Sequence, residues 1–227
     1  MSDTQRIRWH LMPDRPALDR AAAERILAAA GFAIRARGQF HLVLAGGDTP
    51  RGAYRKLRES PGDWAAWHIW FGDERCVPRD DPARNSRMAG EAWLDHVGIP
   101  ALQIHSIPAE LGAERAAQAY AGTLEHVGAF DLVVLGLGED GHTASLFPGH
   151  DWGEAPGAAA ALAVLDAPKP PPERVSLSAA RLSHAREALF LVSGESKRQA
   201  LADWRAGKPI PARAVAPTAG VDVLVAP

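Results

Sequence analysis

Three short segments, far apart in the chain, hold most of the residues able to do chemistry. The longest, Phe130 to Pro148, reads Phe-Asp-Leu-Val-Val-Leu-Gly-Leu-Gly-Glu-Asp-Gly-His-Thr-Ala-Ser-Leu-Phe-Pro and sets His142 two positions after Asp140. An imidazole titrates near neutral pH and can take a proton from water, while a nearby carboxylate fixes its tautomer and stabilises the imidazolium. Most of the nine histidines must be ordinary surface residues. His142 stands apart because it follows an apolar run among glycines that keep the backbone open. The second segment, Leu42 to Pro50, runs through Gly46, Gly47, Asp48 and Thr49 into Pro50. Paired glycines let amides approach an anion, Thr49 can cap the helix that Pro50 starts, and the helix dipole favours negative charge. The same residues also suit a plain tight turn. The third, Trp70 to Arg75, ends in Asp73, Glu74 and Arg75. A guanidinium can hold a phosphate bidentately while an adjacent carboxylate orients a hydroxyl or a histidine, although three charges in a loop also make an ordinary solvated surface. Cys76, beside them, has no neighbouring base and is read as structural.

The glycines of the longest segment, Gly136, Gly138 and Gly141, also spell G-x-G-x-x-G after an apolar run, with Asp166 further on where a ribose-binding acid could lie. A dinucleotide phosphate helix should continue for several turns past the third glycine. Here Pro148-Gly149 stops it within about two turns, and the pattern falls late in the chain rather than in its first βα unit. The segment instead predicts His142 at the start of a short helix.

Elements must bring these segments together. Apolar runs predict strands over Arg6 to Met12, Phe40 to Ala45, His68 to Gly72, Phe130 to Gly136, Ala160 to Asp166, Arg174 to Ser178, Ala188 to Ser193 and Val221 to Val225. Helical segments are expected over Pro16 to Arg37, Arg51 to Glu59, Arg84 to His96, Leu111 to Val127 and Ser196 to Arg205. This alternation describes an α/β fold with a mostly parallel sheet and helices on both faces. All three chemical segments then follow strand C-terminal ends, which share one edge of such a sheet, where ligands bind. Ala167 to Pro172 is expected to be a stiff extended connector.

The chain has 227 residues, 47% hydrophobic and 23% charged, which fits one globular domain over 1–227 with no linker dividing it. A net charge of -2 gives no broad footprint for nucleic acid or an anionic membrane surface. A single cysteine excludes an internal disulfide, no stretch has the length of a membrane span, and the N-terminus lacks a signal-peptide run. A cytoplasmic protein is expected.

The three segments together resemble the 6-phosphogluconolactonase family: a glycine pair with Thr-Pro, then Asp-Glu-Arg, then Leu-Gly-x-Gly-x-Asp-Gly-His-Thr-Ala-Ser-Leu-Phe-Pro, in that order and at similar spacing. Pro171 to Leu177 and Gly194 to Lys197 look like the family's two later basic motifs. Two positions depart from the pattern. Asp48 stands where the family usually has serine, placing a carboxylate near the expected anion, and Arg84-Asn85 replaces Ser-Asn. Glucosamine-6-phosphate deaminases, on the same fold, are less similar. Their loop carries Asp-Glu-Tyr rather than Asp73-Glu74-Arg75, and a different sequence follows their Asp-Gly-His. A non-catalytic sugar-phosphate sensor would keep the cations but needs neither Asp140 nor His142.

The resemblance implies a Rossmann-like three-layer sandwich of the sugar-phosphate isomerase/deaminase kind. It further implies hydrolysis of 6-phospho-D-glucono-1,5-lactone in the oxidative pentose phosphate pathway. His142 would deprotonate water, and Asp140 and Asp73 would orient the imidazole and the water. The phosphate would rest on Gly46, Gly47, Asp48 and Thr49 with Arg75, Arg174 and Lys197 as cations, and Asn85 and Gly138 would complete the pocket. Amides around Gly138 to Gly141 or a basic side chain could hold the oxyanion. No metal or cofactor is expected. The expected partner is the small sugar-phosphate lactone, with no nucleic acid and no membrane, on a monomer with at most weak self-association.

Overall fold

The computed structural model describes residues 5–155 and 157–227. Its strands, numbered in chain order, are β1 (Ile7–Leu11), β2 (Phe40–Leu44), β3 (Trp67–Phe71), β4 (Asp73–Arg75), β5 (Ile104–His105), β6 (Phe130–Gly136), β7 (Ala161–Val164), β8 (Arg174–Leu177), β9 (Ala185–Ser193) and β10 (Val221–Ala226). The helices are α1 (Arg15–Arg37), α2 (Asp48–Arg58), α3 (Asn85–Ala92), α4 (Ala113–Leu124), α5 (Ala179–Ser183), α6 (Arg198–Arg205) and α7 (Pro211–Ala214).

Seven strands form a wholly parallel sheet in the order β1-β10-β9-β6-β2-β3-β5. Its central strands are buried on both faces, as Phe130–Gly136 illustrates, so they read as continuous apolar runs rather than alternating ones. Helix α1 begins where the Asp14 carboxylate accepts the Ala17 amide at 2.7 Å and ends at Gly38, whose φ of +78° lets its amide reach Ile34 O. Its stripe of Leu18, Ala22, Ile26, Ala30 and Ala33 is buried, and α1 packs beside α2 and against β2, β6, β9 and β10. The core is one continuous apolar cluster centred on these strands, with a smaller group at Phe147, Val164 and Ala167. No helix among the described residues is long and apolar enough to cross a membrane.

The architecture departs from the sequence expectation in several places, including the short helices α5 and α7, which the sequence reading did not expect. The strands at Ala161–Val164 and Arg174–Leu177 do not join the parallel sheet. With Asp73–Arg75, expected as a loop, they form a separate antiparallel sheet, β4-β8-β7. Gly72 is the handover: its amide donates to Leu44 O at 2.9 Å in the parallel ladder, and its carbonyl accepts Leu177 N at 2.7 Å from β8. Strand β5, two residues long, is too short to leave a periodic signal. The helix expected over Arg84 to His96 breaks at Trp93, where φ is -153°, and resumes as a 3-10 turn. No helix follows Gly141, because residues 139–149 fold as successive turns closed by a bridge between Thr143 and Leu146.

Candidate active site

Strands β2 and β6 are neighbours, yet the chain leaves β2 toward β3 on one side and leaves β6 toward β9 on the other. Such a reversal opens a crevice beyond the strand ends. A cavity of about 540 Å³ lies there, and every predicted site residue except Asp140 lines it.

His142 faces this cavity, and its Nδ1 lies 2.5 Å from Asp140 Oδ1. The same oxygen accepts the His142 amide at 3.1 Å, so one turn fixes backbone and ring together. Burial pushes the Asp140 carboxyl up, but the two hydrogen bonds from His142 and their charge outweigh it and hold the group below the usual carboxylate range. Asp140 is therefore ionised at neutral pH and accepts a hydrogen bond from Nδ1–H, a tautomer that leaves the lone pair on Nε2. The Phe147 ring packs at 4.7 Å between centroids and limits the tilt of the imidazole. Three of the amides around the loop are committed: Gly138 N donates to His142 O at 2.7 Å, Gly141 N to Gly138 O at 3.1 Å, and His142 N to Asp140.

Asp73 lies in the same cavity but bonds elsewhere than to the imidazole. Its Oδ2 accepts from Ser145 Oγ at 2.7 Å and its Oδ1 from Asn85 Nδ2 at 3.1 Å. Asp140 bonds the ring, while the side-chain hydrogen bonds of Asp73 run to Ser145 and Asn85. Asn85 is itself placed by Glu74, whose fully buried carboxylate accepts the amides of Asn85 and Ser86 at 2.7 and 2.8 Å and so caps α3 from another element. Arg84, which replaces a family serine, is 2% exposed. It pairs with Glu74 at 3.3 Å and donates to the carbonyls of Val77 and Ile107. It acts as the counter-charge of the cap, outside the cavity lining.

At the other wall, Gly47 has φ +95° and precedes Asp48, the first residue of α2. The first amides of that helix have no carbonyl one turn back to accept them, and Gly47 to Thr49 line the cavity. Thr49 is not the cap: its hydroxyl lies 3.1 Å from Ser193 Oγ. The Asp48 carboxylate is 81% exposed and pairs with Arg51 at 2.6 Å, so a cation on its own helix offsets the charge introduced at this position. Arg15 braces the turn, donating to Ser193 Oγ at 3.0 Å and to the carbonyls of Asp48 and Thr49.

Arg75 and Arg174 are direct cross-strand partners on β4 and β8. Burial lowers the Arg174 pKa, the Asp73 charge opposes this and the Arg75 charge adds to it. Arg174 donates through Nε to Pro171 O and through Nη2 to Lys169 O, and its guanidinium stands 5.5 Å over the Phe147 ring. Arg75 donates through Nη1 to Ala83 O. Lys197 completes the predicted cations, and Lys169 joins them from the Pro-rich connector. Lys169 Nζ lies 3.5 Å from Glu139, which Lys169 first and Lys197 second hold below the usual carboxylate range.

Sequence reading missed Arg15, Lys169, Ser193 and the role of Ser145. Ser145 was visible inside the longest motif, but its partner Asp73 is 72 positions away. Nothing local marks Arg15, whose place depends on α1 packing beside α2. Among the described residues no group of three or more His, Cys, Asp or Glu is arranged to hold a metal ion.

Residues 13–224 match the family model described as glucosamine-6-phosphate isomerases/6-phosphogluconolactonase. The chain belongs to this family. Within the family it is 38% identical over 206 residues to a protein named 6-phosphogluconolactonase from Mycobacterium tuberculosis, covering 85% of this chain and 83% of the relative. A 6-phosphogluconolactonase from Synechocystis is 41% identical over 185 residues, covering 75% and 73%. Among solved structures, the 6-phosphogluconolactonase of Thermotoga maritima superposes with a TM-score of 0.90 at 27% identity, over 98% of this chain and 100% of that one. The family's α/β three-layer fold, with its parallel sheet and helices, is the one described above.

Proposed function

We propose that this protein is a 6-phosphogluconolactonase, a hydrolase that opens the ring ester of 6-phospho-D-glucono-1,5-lactone to 6-phosphogluconate. The reading agrees with the names of its relatives, and one observation carries it: the Asp140-bound imidazole of His142 shares a cavity with the amides at the start of α2 and the guanidinium pair Arg75 and Arg174.

The phosphate sits on the amides of Gly47 to Thr49, with Lys197 and Lys169 as its flanking cations. Nε2 of His142 takes a proton from water as the hydroxide oxygen bonds to the lactone carbonyl carbon. The carbonyl pair moves to oxygen, and collapse breaks the bond to the ring oxygen, which receives the proton back from Nε2. With the amides of Gly138, Gly141 and His142 committed, we assign the developing oxyanion to the guanidinium groups of Arg75 and Arg174, whose Nη2 and Nη1 respectively are free of the backbone contacts made by Arg75 Nη1 and by Arg174 Nε and Nη2. Asp73, held by Ser145 and Asn85, supplies a negative charge that favours the charged form of Arg174. The residues at the site suffice for this chemistry with a monomeric, cytoplasmic protein and a small-molecule partner.

The test generates lactone in situ and compares its loss with the uncatalysed rate. Acceleration supports the hydrolase. Ammonia release from glucosamine 6-phosphate at a comparable rate would favour the deaminase reading, against which Arg75 and Thr143 to Phe147 already weigh. Binding of phosphosugars with no turnover would mark a sensor.

A further inference from the structure

The chain contains two tyrosines and six phenylalanines. Both tyrosines are buried, Tyr54 at 0% and Tyr120 at 2% exposure, and both put the hydroxyl on backbone at the end of a central strand. Tyr54, on α2, accepts the Ala45 amide at 2.9 Å and donates to the Ala45 carbonyl at 2.9 Å. Tyr120, on α4, accepts the Phe71 amide at 3.0 Å and donates to the Phe71 carbonyl at 3.2 Å. Ala45 immediately precedes Gly46 and Gly47, and Phe71 precedes Gly72 and Asp73.

A parallel strand that stops leaves the amide and carbonyl of its last residue without a ladder partner, and buried groups of that kind must be paired. Phenylalanine would fill the same volume and leave both unpaired. Burial holds each phenol well above its ordinary pKa, so each hydroxyl keeps its proton at all working pH values and can both donate and accept.

We infer that Tyr54 and Tyr120 are positioning residues: Tyr54 fixes the Gly46–Gly47 turn that presents the phosphate amides, and Tyr120 fixes the strand end that carries Asp73 toward the oxyanion side. The two act on different halves of the site because they end different strands. This rests on the lactonase reading, which sets what each half does.

The test uses Tyr54→Phe and Tyr120→Phe in the full chain, with the parent assayed beside them. Loss of the Tyr54 hydroxyl should raise KM about five- to tenfold with kcat within about twofold, and should weaken competition by inorganic phosphate equally. Loss of the Tyr120 hydroxyl should lower kcat about tenfold and leave phosphate competition unchanged. Both should melt earlier. Lower melting temperatures with KM, kcat and phosphate competition all at parent values would make the hydroxyls merely structural and overturn the inference. If a variant does not fold, its tyrosine is returned and the strand end is loosened from the other side by Ala45→Gly or Phe71→Leu, which must give the same split or the inference fails. A parent inactive on lactone would sink the functional reading separately, and direct binding of inorganic phosphate to parent and Tyr54→Phe, followed by calorimetry, would still test the role of Tyr54.

Discussion

Gly138 lies so close beneath His142 that a Cβ built on it would fall 2.0 Å from the imidazole Nδ1. Gly138→Ala must therefore push the ring off Asp140, because the turn amide of Gly138 is tied to His142 O and cannot retreat freely. The variant should lose kcat by about a hundredfold, close to the loss from His142→Ala, with KM changed only a few-fold. Steady-state kinetics of both variants check this, and a Gly138→Ala enzyme with near-normal kcat would detach the Asp140 contact from catalysis.

Arg75 and Arg174 should each be worth roughly 1.5 to 3 kcal/mol of catalytic efficiency when truncated to alanine, the scale of a charge-assisted hydrogen bond. Since they face each other across β4 and β8, the double variant should depart from the sum of the two single losses. Additive losses would mean that the two guanidinium groups serve different parts of the substrate.

Two carboxylates near the cations should behave oppositely. Asp48→Ser should leave KM within about twofold, since that side chain is exposed and engaged with Arg51. Glu139→Gln should lower KM, because it releases Lys169 and Lys197 to the substrate. A marked tightening on Asp48→Ser together with no response at Glu139 would reverse this assignment.

His41, His68 and His105 stack in a row across β2, β3 and β5, with His41 and His68 centroids 4.6 Å apart. Burial first, and then the His68 charge, lowers His41 to about 4, while Asp131 opposes the shift. The folded ring thus stays neutral where the unfolded one, near 6.5, gains a proton. Its stabilising share is complete above pH 6.5 and is lost as pH falls toward 4. The interval corresponds to at most roughly 3 kcal/mol, reduced to on the order of 2 by partial exposure of the ring. Urea midpoints followed from pH 7 to 4 should fall more steeply for the parent than for His41→Gln, which keeps an acceptor for Trp70 Nε1. Parallel pH profiles would remove His41 from the acid response.

The sequence showed the parallel sheet because strands such as Phe130–Gly136 are buried on both faces and appear as uninterrupted apolar runs. It showed His142 beside Asp140 because that contact is local. Asp73 looked equally able to serve the imidazole, and only the fold reveals that Ser145 and Asn85 occupy its oxygens. The cap of α3 was hidden for a related reason: Glu74 belongs to β4, and capping signals are sought within a few residues of a helix start. Arg15 and Lys169 left no trace because helix packing and a proline-rich path, rather than any motif, carry them to the cavity.

The strand order also governs how copies of the protein meet. The parallel sheet is bounded by β1 and β5, and the antiparallel one by β4 and β7. Strand β5 spans two residues and β4 three, too little for another chain to extend. Strand β1 is longer but carries Arg8, with Arg6 just before it, and Arg8 is tied to Asp222 at 2.6 Å. With its margins short or charged, the parallel sheet makes a poor template for the edge-to-edge addition of another chain.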